Sequence, residues 1–507
     1  MQHSEHVQLR STRSGASFST YYTVNNPEFN LDELLARHHA EGAEQDEDDP
    51  TGAEADDRWL DTQEPDLSPL SSLAPTPSNS RPPSPERSAA KRPREPSPSP
   101  ESTHAQPPPP PPAQGASRKA SKKRNSRKNR KLKAQRREAE GNFAPPPAAL
   151  LRNARHLANA SFERVPLDWE EQPATSTGFT AKRGERDQEL YSLDDLIGPK
   201  ARVKGFKLID WDGKQTCGIA AADGRVFGVL AGHPDDEDWT SVHEGLAAEI
   251  AKAGAHTSFP KESIDHRRGQ FGAEAQGTSH GGGQTAPGTL KHNAGMTNVL
   301  LFLISLTAMI RIAHFASSVF YNWAPRLWLF YADHMRKLFD NDPTLRQNFP
   351  RSVWACITIN FGPRTICYKH RDFGNLSFGW CAITALGKFN PNRGGHLVLW
   401  ECGLVIRFPP GSTILIPSAI ITHSNTTIPL NETRYSVTQY TSGAIFRWVE
   451  HGCRLDEAYY KSLSKKGLKE ARQANAQRWG KGVTLWSTVA ELQGKAKEVV
   501  HTLNQNI

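Results

Sequence analysis

The sequence predicts an α+β fold in which a β-sandwich or jelly-roll core carries flanking helices and follows a long segment with no core of its own. Three observations point there. Between Val353 and Thr441, short apolar runs alternate with Gly, Pro and Asn turns, which is the texture of antiparallel strands and not of a parallel sheet. Two long apolar periodicities of helical spacing lie just before them. The composition also changes near residue 185: Pro, Ser and charge crowd the N-terminal side, whereas Leu193 to Arg454 has the make-up of core-forming chain.

Only 36% of the 507 residues are hydrophobic and 37 are Pro, so part of the chain lacks the apolar surface that folding requires. A formal net charge of +8 suits polyanionic partners. The six cysteines are scattered singly with no C-x-x-C pair, which argues against a disulfide framework or zinc ribbon and for a reducing compartment. No charged-then-apolar leader opens the sequence, so secretion is not expected. The apolar run Val299 to Ile310 is short of the ~20 residues that span a bilayer. It is expected to be a buried helix, with no membrane involved.

Residues 1–185 are expected to be disordered in blocks of different bias. FNLDELLARHHA (Phe29 to Ala40) could form a short docking helix. An acidic block follows from Glu41 to Asp66, then a Ser/Pro tract that ends in six prolines, Pro107 to Pro112. The basic run Arg118 to Arg137 carries Lys or Arg at twelve of its twenty positions. Such density suits a nuclear-import signal or a grip on nucleic-acid phosphates, and the expected location is the nucleus.

Residues 190–260 are expected to form a small accessory β/α unit: short strands within Val203–Gly213 and Cys217–Gly232, then a helix over Trp239–Ala253. The Gly-rich segment Gly277–Gly288 is too polar for core. In the main domain, 261–455, helices are expected over Thr297–Val319 and from Pro325 to Phe339, Pro suiting a first helical turn. The expected strands are 353–360, 365–370, 376–386, 396–400, 404–408, 412–417 and 433–441. Residues 456–507 are expected to be a helical, basic and peripheral tail.

One constellation carries chemistry. His370 and Asp372 stand at i and i+2 at a strand end, so an extended backbone sends both to one side. A third ligand from a distant strand would complete a two-histidine, one-carboxylate triad with open metal positions. His423, after the strand 412–417, sits where such a ligand is needed. Arg434 lies eleven residues further on, and its rigid fork suits a carboxylate. Ser436 shares its strand face and could add a hydroxyl. A second H-x-D, His233-Pro234-Asp235, lies in an acidic loop without an answering His and Arg. His396, in GGHLVLW, is the rival third ligand but has no Arg at suitable spacing after it.

HRDFGN (370–375), GHLVLW (395–400), FPPGSTILIPSAIITHSNTTI (408–428) and ETRYSVTQY (432–440) together resemble the 2-oxoglutarate oxygenases. More narrowly the chain is similar to the fungal branch of the TET/JBP family of nucleic-acid-modifying enzymes, over about residues 195 to 455. The resemblance implies a double-stranded β-helix core, Fe(II) at His370, Asp372 and His423, 2-oxoglutarate at Arg434, and O2 as oxidant. It implies DNA as partner and oxidation of 5-methylcytosine to 5-hydroxymethylcytosine or beyond. Asn375 matches a base-contacting Asn and Tyr440 a base-stacking Tyr. The glycines and Gln of SHGGGQ (Gly281, Gly282, Gly283, Gln284) would let backbone approach the nucleic acid. Where animal members carry a base-binding His, this chain has Ser442, which leaves base identity open. Two other readings stand: the same chemistry on thymine, RNA or a protein side chain, and a nucleic-acid-binding scaffold with an inactive metal site.

Overall fold

The computed structural model describes residues 143–185 and 187–505, together with a pairing of Arg10–Ser11 with Ser17–Phe18. The stretch Phe29–Ala40, the acidic block, the Ser/Pro tract and the basic run Arg118–Arg137 lie outside the described residues.

Two sheets form the frame. Their strands in chain order are Ser161–Arg164 (β1), Lys207–Ile209 (β2), Cys217–Ala220 (β3), Val226–Gly232 (β4), Gly272–Ser279 (β5) and Gly288–Thr289 (β6). Then come Cys356–Gly362 (β7), Cys381–Lys388 (β8), Leu397–Leu399 (β9), Leu404–Ile406 (β10), Thr413–Ile416 (β11), His423–Asn425 (β12) and Thr433–Tyr440 (β13). The large sheet has nine strands in the order β6-β5-β7-β13-β8-β11-β4-β3-β1; the small one has four, β12-β9-β10-β2. The longer helices are Pro147–Ala158 (α1), Trp239–His256 (α2), Ala294–Ser305 (α3), Thr307–Trp323 (α4), Pro325–Asn341 (α5), Gly443–Glu450 (α6), Lys465–Val483 (α7) and Val489–Gln505 (α8).

The period-2 pattern of β13 explains how the large sheet divides its faces. Tyr435 and Val437 join Ile357, Ile359 and Leu386 in a cluster covered by α2, α3 and the start of α4. Arg434, Ser436, Thr438 and Tyr440 alternate to the other face. There the small sheet closes over: Leu397, Leu399, Leu404 and Ile406 share one core cluster with Ile414, Ile416 and Ala385 of the large sheet. Val398 and Val405 turn outward under Tyr191 and Leu196. Each large apolar side chain buried this way contributes roughly 1.5–3 kcal/mol.

Several expectations need correction. Residues 143–185, expected to be disordered, are structured: Phe143, Leu157, Val165, Leu167 and Phe179 bury against the main core and β1 pairs in parallel with β3. A stretch that opens on three consecutive prolines, Pro145 to Pro147, thus takes its core partners from distant residues. The 190–260 segment is continuous with the rest: β4 pairs with β11, and β2 pairs with β10. The expected helix Thr297–Val319 is two helices bent by 66°, since Leu306 is extended (φ −61°, ψ 133°) between α3 and α4. Among the described residues no single helix is long and apolar enough to cross a membrane. Expected strand 365–370 forms no ladder: it is held by single backbone bonds, Thr365 N–H to Arg434 O, Tyr368 N–H to Arg268 O and Asn425 N–H to Cys367 O, and by an isolated bridge at His370. The tail is helical but not peripheral: Trp486, Val489, Leu492 and Ala496 lie in the main core, and the Trp486 indole donates to Phe378 O at 2.9 Å.

Candidate metal centre and adjoining anion pocket

His370 and Asp372 lie on the extended segment between β7 and β8, and His423 opens β12. The two histidines exchange backbone bonds: His370 N–H donates to His423 O at 3.0 Å and His423 N–H to His370 O at 2.8 Å. Asp372 N–H donates to Ser418 O at 2.9 Å, which ties the carboxylate to the turn leading into β12. All three ligands are therefore fixed by backbone pairing and not by side-chain packing alone.

Both rings are oriented the same way. Nδ1 of His370 lies 2.7 Å from Tyr368 O and Nδ1 of His423 lies 3.0 Å from Ile421 O. With Nδ1 as donor, Nε2 keeps its lone pair for a metal. The Nε2 atoms stand 3.7 and 3.8 Å from the Asp372 carboxylate oxygens, and one ligand atom from each residue falls within 4.8 Å of the others. Burial, then repulsion from His423, pushes His370 well below the usual imidazole range, so it stays neutral. Burial alone would raise Asp372, but attraction to His370 and His423 and then to Arg268 and Arg267 brings it down to about 2. Two imidazoles beside an ionised carboxylate are a donor set that could hold a divalent metal with positions left open.

The adjoining pocket is defined by Arg434, which is only 1% exposed. Its Nη1 donates to Thr365 O at 2.8 Å, its Nε has no acceptor, and no carboxylate among the described residues pairs with it. The guanidinium lies 5.8 and 5.9 Å from the rings of Phe389 and Phe408. Burial pushes its pKa down to about 10, so it remains a cation at neutral pH. A buried, unpaired charge is costly, and an anionic ligand would relieve it.

The polar atoms around it are also left open. Asn360 Nδ2 donates to Ser436 Oγ at 2.8 Å, which frees the Ser436 hydroxyl proton for another acceptor. Asn360 Oδ1 and Thr365 Oγ1 make no hydrogen bond although buried. The half-buried Cys367 thiol is raised by desolvation and feels the charges of Arg434 and Asp372. Sequence reasoning missed Asn360 and Thr365. The available signal was a buried-strand pattern, ITIN, that ends in a polar residue opposite Ser436.

The expected substrate-side residues gather at one end. Asn375 N–H donates to Asp372 O at 2.9 Å, its Nδ2 donates to Ser418 Oγ at 3.3 Å, and its backbone bridges Ser442. Gly281, Gly282 and Gly283 have φ of 145°, 56° and 84°, the left-handed region that favours Gly, and Gln284 N–H closes the turn on Gly281 O at 3.0 Å. The Ser442 hydroxyl donates to His280 O at 2.7 Å and so anchors this loop while also capping α6. Tyr440 sits half-buried at the end of β13, opposite Cys356.

Neither rival belongs to the metal group. His233 bonds through Nδ1 to Pro234 O at 2.8 Å and stacks on Trp239. His396 is satisfied by Thr426 Oγ1 at 2.9 Å, and burial lowers it to about 4. Among the described residues, His370, Asp372 and His423 are the group that could hold an ion.

No protein-family model and no curated protein matches the chain. Among solved structures it is similar to NgTET1 in complex with 5mC DNA, at 11% identity and a TM-score of 0.28, covering 59% of this chain and 91% of that one. It is also similar to an oxidoreductase of the 2OG-Fe(II) oxygenase family from Burkholderia pseudomallei, at 17% identity and a TM-score of 0.23, covering 39% and 77%. Likeness at these scores does not bear on the chemistry, which rests on the residues themselves.

Proposed function

We propose that the chain is an Fe(II)- and 2-oxoglutarate-dependent dioxygenase that oxidises the methyl group of 5-methylcytosine in DNA to 5-hydroxymethylcytosine and onward. The observation that carries the oxygenase reading is the combination of a two-histidine, one-carboxylate group with a buried guanidinium that lacks an anion and bonds Thr365 O, five residues before His370. The strand order, with two facing sheets of mostly antiparallel strands around these residues, supports a double-stranded β-helix core.

Iron(II) with 2-oxoglutarate and O2 supplies the oxidising power that no side chain has. The chain's own residues bind and orient. His370, Asp372 and His423 would hold the metal on one face. Arg434 receives the far carboxylate of 2-oxoglutarate, Ser436 adds its hydroxyl proton, and Asn360 keeps that hydroxyl turned toward the anion. Phe389 and Phe408 keep water from the guanidinium, which strengthens its bond to the carboxylate.

The substrate reading rests on the sequence resemblance to the TET/JBP family. A methyl group inside a duplex must leave the stack to reach a buried centre, and the reading assigns Asn375, Tyr440 and Gly281–Gln284 to meet the extruded base. Ser442 favours a second reading at the level of the base. Its hydroxyl is committed to His280 O, so it does not replace a base-binding imidazole, and thymine or an RNA base becomes the alternative. A nuclear location accords with the basic run Arg118–Arg137.

The test incubates the full chain with Fe(II), 2-oxoglutarate, ascorbate and duplex DNA containing 5-methylcytosine, beside an Asp372→Ala variant. Digestion and mass spectrometry of the nucleosides give the result. Hydroxymethyl product that vanishes in the variant is the expected outcome. Succinate without modified cytosine would reject the substrate and keep the oxygenase. Neither product, from folded and iron-loaded protein, would leave a binding scaffold.

A further inference from the structure

Three separate segments bring cations to the rim of the metal centre. The first is the strap 181–185, where Lys182 and Arg183 are exposed. Ala181 N–H donates to Phe373 O at 2.9 Å, which pins this strap to the residue after Asp372. The second is the tight hairpin of Asp265–His266 with Gly269–Gln270, whose connection carries Arg267 and Arg268. Tyr368 N–H donates to Arg268 O at 2.8 Å, and Arg267 Nη1 donates to Arg371 O at 2.7 Å. The third is the ligand segment itself, through Arg371.

The guanidinium carbons of Arg183 and Arg267 stand 5.7 and 5.3 Å from the centre of the Phe373 ring, so cations from two segments converge on one aromatic. Arg371 packs on the strap so closely that a Cβ at Gly184 would fall 3.0 Å from its Nη2. Its Nε is buried and makes no hydrogen bond. Arg267 and Arg268 also act on Asp372, which places their charge at the centre's edge. The acids on the same segments are Glu185, Asp187 and Asp265, besides Asp372. Asp187 already accepts from Glu189 N–H at 2.9 Å.

We infer that Lys182, Arg183, Arg267, Arg268 and Arg371 form a clamp for the phosphodiester backbone of a nucleic-acid strand whose base is presented to the metal centre. The inference rests on the oxygenase reading for the base, and on geometry for the phosphates. It is distinct from the Arg434 pocket, which is closed between the sheets and fits one small carboxylate. Guanidinium forks spread over three segments fit a ligand with repeated anionic groups, each able to accept two bonds. Positions fixed by backbone bonds to residues 368–373 tie the strand's register to the triad.

The test measures binding of the full chain to a fluorescently labelled duplex by anisotropy over a series of salt concentrations. Each phosphate contact removed lowers the slope of log affinity against log salt by about 0.9, so the double variant Lys182→Gln, Arg183→Gln should lower it by about 1.8. The loss should be equal on methylated and unmethylated duplex, because phosphate contacts carry no base information. Arg183→Lys, which keeps the charge, should retain the wild-type slope. An unchanged slope in the double variant overturns the clamp. So does equal loss with Arg183→Lys, which would mean a structural role. A poly-glutamate peptide that competes with DNA at equal charge would overturn the nucleic-acid assignment in favour of an acidic protein segment. Binding is read without turnover, so a wild type that forms no succinate yet shows the slope change would reject the oxygenase and leave the clamp standing.

Discussion

The two sheets that enclose the site hold their functional side chains in different ways. Arg434 and Ser436 stand on β13, an eight-residue strand paired with β8 over Thr433–Gln439 and with β7 over Ser436–Tyr440. His423 stands on a three-residue strand, and His370 belongs to no ladder at all, only to the reciprocal bridge between the two histidines. The pocket around Arg434 is thus built on the longest ladder of the frame. The three candidate metal ligands lie on short segments. A grip on a small co-substrate needs a dry, fixed cavity, whereas metal ligands must leave room for the groups that react.

Breaking the short side should have the largest effect. Asp372→Ala removes the only carboxylate of the triad, so iron binding by titration and succinate formation should both fall to background. On the long ladder, Arg434→Gln should raise the KM for 2-oxoglutarate by about a hundredfold or more, the worth of a charge-assisted bidentate contact. The same change should leave the melting temperature without 2-oxoglutarate equal or higher, because it removes an unpaired buried charge. A lower melting temperature would mean that the guanidinium is structural.

Acid should separate the sheets. His396 begins the small sheet, and burial, then the charge of Arg407, lowers its pKa from 6.5 to about 4. With the folded value depressed, the unfolded chain takes up the proton first. Stability is full above pH 6.5 and is lost as pH falls toward 4, by about 3 kcal/mol at 1.36 kcal/mol per unit. Hydrogen exchange should therefore accelerate in β9 and β12 before β13 over that window. Uniform acceleration would show that the sheets open as one. The smallest effect is expected from Asn360→Ala, which takes the donor from Ser436 Oγ: a rise in the KM for 2-oxoglutarate of about five- to tenfold with kcat little changed, in keeping with one neutral hydrogen bond.

The parts of this site legible in the sequence are those with a local geometric rule. His370 and Asp372 follow from strand alternation, and Arg434 with Ser436 from the same rule eleven residues past His423. Asn360 and Thr365 escaped because facing a pocket across a ladder depends on register, and register is decided between strands far apart in the chain. The break at Leu306 escaped because apolar periodicity runs straight through it. Residues 143–185 escaped because their few apolar side chains find partners only in the assembled core.

The sequence by itself determined most types of element and the local pairs His370 with Asp372 and Arg434 with Ser436, since each depends on neighbours within a few residues. Only the tertiary structure decided that β1, β3 and β4 extend the large sheet, that Trp486 of the tail seals the core, and that arginines from three segments meet around the triad. Those facts depend on burial and pairing between residues up to three hundred positions apart, and such partners are chosen by the free energy of the whole packed chain, not by any short stretch of it.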